Sequence, residues 1–265
     1  MAYDMDDLVR VAHEMADAAR NAILPYFRNR ELITDNKAGA SDFDPVTEAD
    51  RAGERAMRSV LAALRPHDAI LGEEYDAVAG TSGLTWVLDP IDGTRGFVAG
   101  TPTWGVLIAC SDANGPILGM IDQPYIAERF IGAAGTATWS GPLGTRQITT
   151  QAPRPLSQAI LFTTFPEVGT PQDRKCFEAV AQHARLVRYG MDCYAYALLA
   201  AGQIDLVIEA GLNAYDIQGP IGVVEAAGGL VTNWEGGPAH SGGRAIAAAN
   251  AEIHAEAMRW IQSAQ

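Results

Sequence analysis

The sequence predicts an α/β protein built in layers, and three observations support this fold class. Residues 5 to 64 carry apolar side chains at three- and four-residue spacings, which is typical of amphipathic helices. Residues 69 to 132 contain short apolar runs punctuated by Gly, Asn and Pro, which predict consecutive antiparallel strands. From residue 159 onward, strand and helix patterns alternate as they do in α/β units.

The helices of the first half come first in the chain. Residues 5 to 29 are predicted to form one amphipathic helix, followed by a polar loop over residues 34 to 43. A second helix is predicted from Thr47 to Leu64, because the residue before Pro66 disfavours the helical conformation. The expected apolar face of this second helix consists of Ala49, Ala52, Ala56, Val60 and Leu64.

Strands and further helices fill the rest of the chain. Strands are predicted at 69–71, 86–88, 106–109, 116–121, 128–132, 159–162, 186–189 and 204–208, and helices near 172–183, 193–201 and 217–227. The stretch from Gly132 to Pro155 is rich in Gly, Pro and Thr and is the best candidate for the boundary between the two halves of the chain. We therefore expect one domain over residues 1–265, with halves at 1–135 and 150–265.

Composition and charge exclude several classes of partner. The chain has 265 residues, is 48% hydrophobic and has a formal net charge of −13, which disfavours binding to nucleic acids and anionic membranes. An acidic protein that handles a phosphate ester needs bound divalent cations to reverse the local charge. Three cysteines without C-x-x-C spacing, no signal-peptide pattern and no apolar run of membrane-spanning length lead us to expect a cytoplasmic protein.

The sharpest motif is Asp89-Pro90-Ile91-Asp92-Gly93-Thr94, which follows an apolar strand. Two carboxylates at one strand end repel each other unless a cation lies between them, so Asp89 and Asp92 are candidate Mg²⁺ ligands, with the Ile91 carbonyl available as another. Gly93 and Thr94 are candidate phosphate-binding residues through their backbone N–H groups. An ordinary Asp-rich turn is the alternative for a bare D-x-x-D spacing.

Three further acidic positions are ambiguous when each is considered alone. Glu73 follows the strand at 69–71 and could simply belong to a solvated acidic pair. Asp216 precedes an apolar segment and could be a helix cap. Asp50 lies three residues after Thr47, the spacing of a capping box, and is an equally good candidate for a catalytic role.

Taken together, these motifs resemble those of the inositol monophosphatase family, over nearly the whole chain. The resemblance rests on residues 44–50 (Asp-Pro-Val-Thr-Glu-Ala-Asp), 72–74, 89–94 and 215–216, with Glu-Ala-Ala-Gly-Gly at 225–229. It implies alternating α-β-α-β-α layers, as in the inositol monophosphatase and fructose-bisphosphatase type of fold. It also implies hydrolysis of a phosphomonoester that depends on two or three Mg²⁺ ions, and a homodimer.

The resemblance also assigns roles residue by residue. Metal ligands would be Glu73, Asp89, the Ile91 carbonyl, Asp92 and Asp216, and the catalytic residues would be Asp50, Thr94 and Glu73. Asp50 and Thr94 would orient an attacking water molecule, so that no covalent intermediate is needed. Substrate contacts would come from Asp92, Asp192, Glu209 and Asp216.

Residues 93–105, 188–196 and 243–250 are most similar to the histidinol-phosphate phosphatase branch of this family. Asp192 stands where inositol-phosphate phosphatases have a small neutral residue, and a carboxylate there would pair with the ammonium group of histidinol. A helix N-cap is the alternative role for Asp192, and Met191 departs from the Gly that is more common in that branch.

The sequence therefore predicts a Mg²⁺-dependent phosphatase that converts L-histidinol phosphate to L-histidinol and phosphate in histidine biosynthesis. An inositol-1-monophosphatase or a broad sugar and polyol phosphatase is the enzymatic alternative. A regulatory binding protein that keeps the fold is the alternative from another class, but it predicts loss of a metal ligand, and every candidate ligand is present.

Overall fold

Two helices cover one face of the first sheet. The computed structural model describes residues 3–29, 34–36, 45–165 and 167–265. Helix α1 (Met5–Ile23) begins after Asp4, whose carboxylate accepts the N–H groups of Asp6 and Asp7. The predicted extension of α1 to residue 29 is wrong, because Pro25 supplies no backbone N–H and the chain continues as a single 3₁₀ turn, Leu24–Tyr26.

Helix α2 (Glu48–Leu64) begins one residue after its predicted start, with Thr47 as the N-cap. Its predicted apolar face is right only at Ala49. Leu64 is exposed, Ala52, Ala56 and Val60 are partly buried, and the buried face is rotated toward other residues. The buried positions are Ala49, Asp50, Gly53, Glu54, Met57 and Leu61. Two carboxylates lie on this buried face, so apolar periodicity alone could not identify it.

A short antiparallel pair precedes α2. Strands β1 (Thr34–Asn36) and β2 (Pro45–Thr47) pair with Thr34 opposite Thr47. Residues 34–36, predicted as part of a loop, are therefore a strand. The remainder of that predicted loop, residues 37–43, and Asp44 of the family motif lie outside the described residues.

The first sheet has seven strands, arranged in chain order from β3 to β9. They are β3 (Ala69–Gly72), β4 (Thr85–Asp92), β5 (Gly105–Asp112), β6 (Gly115–Gln123), β7 (Glu128–Ala133), β8 (Thr136–Gly141) and β9 (Gly144–Ile148). Strand β3 runs parallel to β4, and the other neighbouring pairs are antiparallel, as predicted for this region. A short helix, α3 (Thr94–Ala99), follows β4.

The stretch predicted to separate the two halves, residues 132 to 155, contains two strands, β8 and β9. Strands β8 and β9 continue the first sheet to Ile148. Most of β9 is solvent-exposed, as expected for an edge strand, so its residues are polar or small and carry no alternating apolar signal. This exposure explains why the sequence pattern missed β9.

The second sheet has five strands in the order β11-β10-β12-β14-β13. They are β10 (Ile160–Thr163), β11 (Leu186–Tyr189), β12 (Leu206–Leu212), β13 (Leu230–Thr232) and β14 (Gly243–Ala248), and the helices of this half are α4 (Pro171–Ala181), α5 (Tyr194–Ala200), α6 (Ala214–Ala226) and α7 (Ala251–Ala264). Strand β10 is parallel to β11 and β12, whereas β14 is antiparallel to β12 and β13.

Three hydrophobic cores separate five layers. The first core lies between the α1/α2 pair and the seven-stranded sheet. The second contains α5 and α6 between the two sheets, and the third lies between the five-stranded sheet and the α4/α7 pair. The predicted layered α/β fold is confirmed. None of the described helices combines the length and apolar content that a membrane crossing requires.

Helix α6 packs on the first sheet through glycine backbones. A β-carbon placed on Gly119 of β6 would lie 2.2 Å from the carbonyl oxygen of Gly219 and 2.8 Å from the Cα atom of Gly222. A β-carbon on Gly132 of β7 would lie 2.1 Å from the Gly222 carbonyl oxygen. This close approach fixes the position of α6, which carries Asp216 near its N-terminus.

We expect Gly119→Ala to lower the free energy of unfolding by about 3 kcal/mol, because the added methyl meets backbone atoms that cannot move without displacing α6. Urea unfolding followed by circular dichroism measures the change. Gly237→Ala is the matched control, since its nearest neighbours are side-chain atoms of Asn233 at 3.3 Å or more. Equal stability of the two variants would show that α6 is not fixed in this way.

Candidate active site

Strand β4 delivers two carboxylates at its end. The buried run from Trp86 to Leu88 continues directly into Asp89, and the register of β4 against β5 shifts between Asp89 and Asp92. Such an irregularity re-aims side chains at the end of a strand. One Asp89 oxygen, Oδ1, accepts the N–H of Ile91 at 2.9 Å, and Asp92 Oδ2 accepts the N–H of Cys193 at 2.6 Å.

Asp216 reaches the same place from the other half of the chain. It occupies the third position of α6 and forms a capping box with Asn213, whose backbone N–H donates to Asp216 Oδ2 at 2.6 Å. The predicted cap role of Asp216 is therefore real, and it coexists with a place in the cluster. Carboxylate oxygens of Asp89, Asp92 and Asp216 all lie within 4.8 Å of one another.

The surroundings of the three carboxylates disfavour their ionised forms. Burial raises the pKa of Asp89, and the charges of Glu73, Asp92 and Asp216 raise it further. Burial likewise raises the pKa of Asp92, with added repulsion from Asp192, Asp216 and Glu209. Burial raises the pKa of Asp216 to about 6. Like charges in a desolvated site oppose ionisation unless a cation compensates them.

The other predicted metal ligands border this cluster. Glu73 follows β3 and lines the same cavity, and its charge acts on Asp89. The Ile91 carbonyl accepts the Thr94 hydroxyl at 3.1 Å, which leaves it a second lone pair. The structure thus brings together all five positions assigned as ligands on the basis of the family resemblance.

These residues suit a hard cation. Oxygen is the donor atom throughout, and hard cations such as Mg²⁺ and Ca²⁺ prefer carboxylate and carbonyl ligands. Burial raises the pKa of all three carboxylates, and neighbouring carboxylate charges further raise those of Asp89 and Asp92, so a bound cation would offset an unfavourable ionisation. The residues therefore fit the metal dependence of the family.

Asp50 and Thr94 meet beside the cluster. Asp50 is buried and accepts both the N–H and the hydroxyl of Thr47, at 2.7 and 2.6 Å. Its other oxygen lies 3.4 Å from the hydroxyl of Thr94. The capping-box prediction for Asp50 is confirmed, and burial raises the pKa of Asp50 to about 6. One carboxylate thus caps α2 and also faces the site.

Gly93 joins β4 to α3 in the left-handed backbone conformation, with a φ of 87°. A β-carbon on Gly93 would lie 2.8 Å from the Asp192 side chain, so glycine is required here both for conformation and for space. Gly93 and Thr94 line the cavity. Their predicted contact with phosphate through backbone N–H groups stays a prediction.

Asp192 and Glu209 form an acidic wall on the side of the second half. Asp192 has a left-handed φ of 47°, and Thr103 Oγ1 donates to its carboxylate at 3.3 Å. The N-cap interpretation of Asp192 is wrong, because Cys193 occupies the N-cap of α5. Glu209 accepts the Thr164 N–H at 3.1 Å and the Tyr196 hydroxyl at 2.8 Å. Burial raises the pKa of Asp192 to about 6 and also raises that of Glu209.

A cavity of about 280 Å³ connects the acidic cluster to this wall. Its lining includes residues of both halves and an aromatic ring, Phe165, that is 44% exposed. The Arg95 guanidinium carbon lies 4.8 Å from the centre of that ring. The volume suits a small phosphorylated metabolite rather than a macromolecule.

Sequence reasoning missed several residues that shape the site. Thr103 donates to the Asp192 carboxylate through its hydroxyl, and Thr164 donates to the Glu209 carboxylate through its backbone N–H. Thr164 directly follows β10, and a polar residue at a strand end could have indicated its place. Glu54 was missed because it is a carboxylate on a buried helix face.

Fold and carboxylate cluster together define the class of metal-dependent phosphatases, and comparisons with known proteins specify the family. The model of the inositol monophosphatase family matches residues 4–265. The chain is 38% identical to the chloroplastic bifunctional phosphatase IMPL2 of Arabidopsis thaliana, over 98% of this chain and 76% of that protein. It is 33% identical to the histidinol-phosphatase of Mycobacterium tuberculosis, over 96% of each.

A solved inositol monophosphatase from Zymomonas mobilis superposes with a TM-score of 0.86 at 37% identity, covering 98% of this chain and 100% of that one. The chain belongs to the inositol monophosphatase family, and it is a phosphatase of that family.

The raised pKa of Asp216 predicts how stability depends on pH without a cation. The folded protein binds the Asp216 proton more tightly than the unfolded chain does, because the pKa of Asp216 rises from 3.8 to about 6 on folding. The contribution of this proton to the stability of the folded state is therefore complete below pH 3.8, and it is lost as pH rises through about 6. We expect Asp216→Asn to stabilise the metal-free protein at pH 7 by about 2 kcal/mol, and the gain to vanish near pH 4. Urea unfolding in EDTA at both pH values measures it.

Asp173→Asn is the matched control, because Asp173 holds the equivalent capping position in α4 but pairs with Arg244 at 2.7 Å. This variant should lose stability at pH 7. Destabilisation of the metal-free protein by Asp216→Asn at pH 7 would contradict the unfavourable ionisation of the buried Asp216 carboxyl.

Proposed function

We propose that the protein hydrolyses L-histidinol phosphate to L-histidinol and phosphate, in a reaction that depends on Mg²⁺. The observation that carries this proposal is the acidic wall of the cavity, where Asp192 and Glu209 lie beside the carboxylate cluster. Histidinol carries an ammonium group that such a wall would bind, whereas a neutral polyol carries none. Relatives named histidinol-phosphatase, at about 32% identity, support the same substrate.

The ligand set proposed for Mg²⁺ is Glu73, Asp89, the Ile91 carbonyl, Asp92 and Asp216, with two or three ions per site. All of its donors are oxygen atoms, and Mg²⁺ characteristically joins carboxylates to substrate phosphate. When bound, the ion supplies a Lewis acid that lowers the pKa of water and offsets charge on the phosphoryl group.

The attacking water molecule is held by Thr94 and Asp50 in this proposal. Thr94 Oγ1 lies between Asp50 Oδ1, at 3.4 Å, and the Ile91 carbonyl, at 3.1 Å. A carboxylate with a pKa of about 6 is well matched to accept a proton near neutral pH. Backbone N–H groups at Gly93 and Thr94 would orient the phosphate, and no covalent intermediate is involved.

The leaving alcohol would lie against Asp192, Glu209 and Phe165. Burial raises the pKa of Asp192, whereas the positive charge of Arg95 lowers it and so favours the ionised form. The wall stays acidic, because it has two carboxylates and one guanidinium. The exposed ring of Phe165 offers an apolar surface on which a planar imidazole can stack. Asp92 and Asp216 would contact the substrate from the metal side.

The second candidate function is hydrolysis of inositol 1-phosphate or of a range of sugar and polyol phosphates. The observation in its favour is sequence identity. The chain is 37% identical to the Zymomonas inositol monophosphatase and 33% identical to the M. tuberculosis histidinol-phosphatase. A regulatory protein without turnover is the third alternative. Substrate comparison distinguishes all three.

The deciding assay is phosphate release by the purified protein, with and without Mg²⁺, on L-histidinol phosphate, inositol 1-phosphate and a generic phosphate ester. We expect Mg²⁺-dependent release with the highest kcat/KM on histidinol phosphate. Asp89→Asn should lower kcat/KM by at least about 100-fold, because it removes ligand charge while keeping shape. A preference for inositol phosphate would support the second candidate, and absence of turnover would support the third.

Asp192→Asn tests recognition of the ammonium group. Asparagine tolerates the left-handed backbone of this position, so the variant removes charge without straining the chain. We expect kcat/KM on histidinol phosphate to fall about 10- to 100-fold, the size of one charged hydrogen bond. Turnover of inositol 1-phosphate serves as the internal control and should change less than threefold. Equal losses on both substrates would contradict this role.

Three further expectations remain proposals. They are a homodimer, a cytoplasmic location, and a small phosphorylated metabolite as partner to the exclusion of nucleic acid and membrane. Sedimentation of the purified protein would measure its oligomeric state.

A further inference from the structure

Helix α2 contains a buried carboxylate that the proposed chemistry does not use. Glu54 lies one turn after Asp50 and is fully buried, yet it does not line the cavity. Burying a carboxylate costs several kcal/mol unless excellent partners compensate it. A charge in such a place needs a local reason, and its contacts supply one.

Both oxygens of Glu54 have strong donors. Arg58, one turn further along α2, donates from Nε to Glu54 Oε1 at 2.8 Å. The backbone N–H of Glu74 donates to Glu54 Oε2 at 2.7 Å. Arg58 also donates from Nη2 to the carbonyl oxygen of Tyr75 at 2.9 Å. The ion pair is therefore hydrogen-bonded to the backbone of the two residues that follow Glu73.

The residue before Glu73 packs against the Glu54 carboxylate. A β-carbon on Gly72 would lie 2.0 Å from Glu54 Oε1 and 2.5 Å from its carboxyl carbon. Any side chain at position 72 would displace the carboxylate, so Gly72 is needed for space. Glu54 thus touches the chain on both sides of Glu73, and this fixes the direction in which the Glu73 side chain leaves the backbone.

We infer that Glu54 and Arg58 are positioning residues that hold Glu73 in place as a metal ligand. The inference rests on the proposed metal-dependent function. The pair contacts residues 72, 74 and 75 but not Asp192 or Glu209, which lie on other segments. Its loss should therefore weaken metal binding while leaving recognition of the leaving alcohol intact.

Glu54→Gln is the test variant, because it removes the charge at nearly constant shape. We expect the Mg²⁺ concentration for half-maximal activity to rise about 10- to 100-fold, the usual effect of losing a partner that orients a ligand. At saturating Mg²⁺, KM for histidinol phosphate should stay within twofold of the parent protein. Calorimetric titration of the substrate-free protein with Mg²⁺ should show the same weakening.

Glu14→Gln is the matched control. Glu14 pairs with Arg10 at the same four-residue spacing, on the exposed side of α1. This variant should leave the Mg²⁺ dependence unchanged. If Glu54→Gln does not fold, the double variant Glu54→Gln/Arg58→Met replaces it, since removing both charges avoids an unpaired buried ion.

The outcomes separate this inference from the proposed function. If Mg²⁺ neither binds nor activates the parent protein, the proposed function fails. If Mg²⁺ activates the parent and a folded variant keeps the same Mg²⁺ affinity, the positioning role is overturned. A variant with lower thermal stability but unchanged Mg²⁺ affinity would also overturn it, because that is the result of a merely structural ion pair.

Discussion

Repulsion among buried carboxylates is the constraint on which the site depends. Asp89, Asp92 and Asp216 arrive on two elements from opposite halves of the chain, and each is tied to a backbone N–H group. These bonds stabilise the charged form only in part, since burial still raises all three pKa values. In the proposed function, a bound cation would offset this unfavourable ionisation.

Packing elsewhere in the molecule resists this repulsion. The glycine contacts between α6 and the first sheet hold Asp216 close to β4. Capping boxes give Asp50 and Asp216 a second task, because each also ties down the start of a helix. Folding and the proposed function would thus share the same atoms, and we expect a substitution at either position to change both. Close backbone approach and shared caps keep the site rigid in the way that catalytic geometry requires.

Much of the fold could be predicted from sequence because its signals are local. The strand runs before Glu73 and Asp89 and the stop of α2 before Pro66 are patterns of a few residues. The edge strand β9 and the buried face of α2 were missed, since an exposed strand carries no alternation and Glu54 is a charged residue in a core position. Ordered motifs identified the family, and the cluster brings those motifs together.

What sequence could not supply is the environment of each side chain. Two contacts join segments that are distant in the chain. Asp192 packs against Gly93, and Glu54 contacts the backbone near Glu73. The spacing of residues along the chain does not predict such contacts, and only the three-dimensional structure shows which residues meet and at what distance.

The left-handed backbone at Asp192 also bears on how this pocket can change over evolutionary time. Gly, Asn and Asp adopt that conformation more readily than most residues. Those three differ in charge and size but not in the loop shape they allow. A single codon change there could therefore convert an anionic wall into a neutral or an open one while the loop keeps its course, so related enzymes could diverge in substrate at this position without rebuilding the catalytic centre.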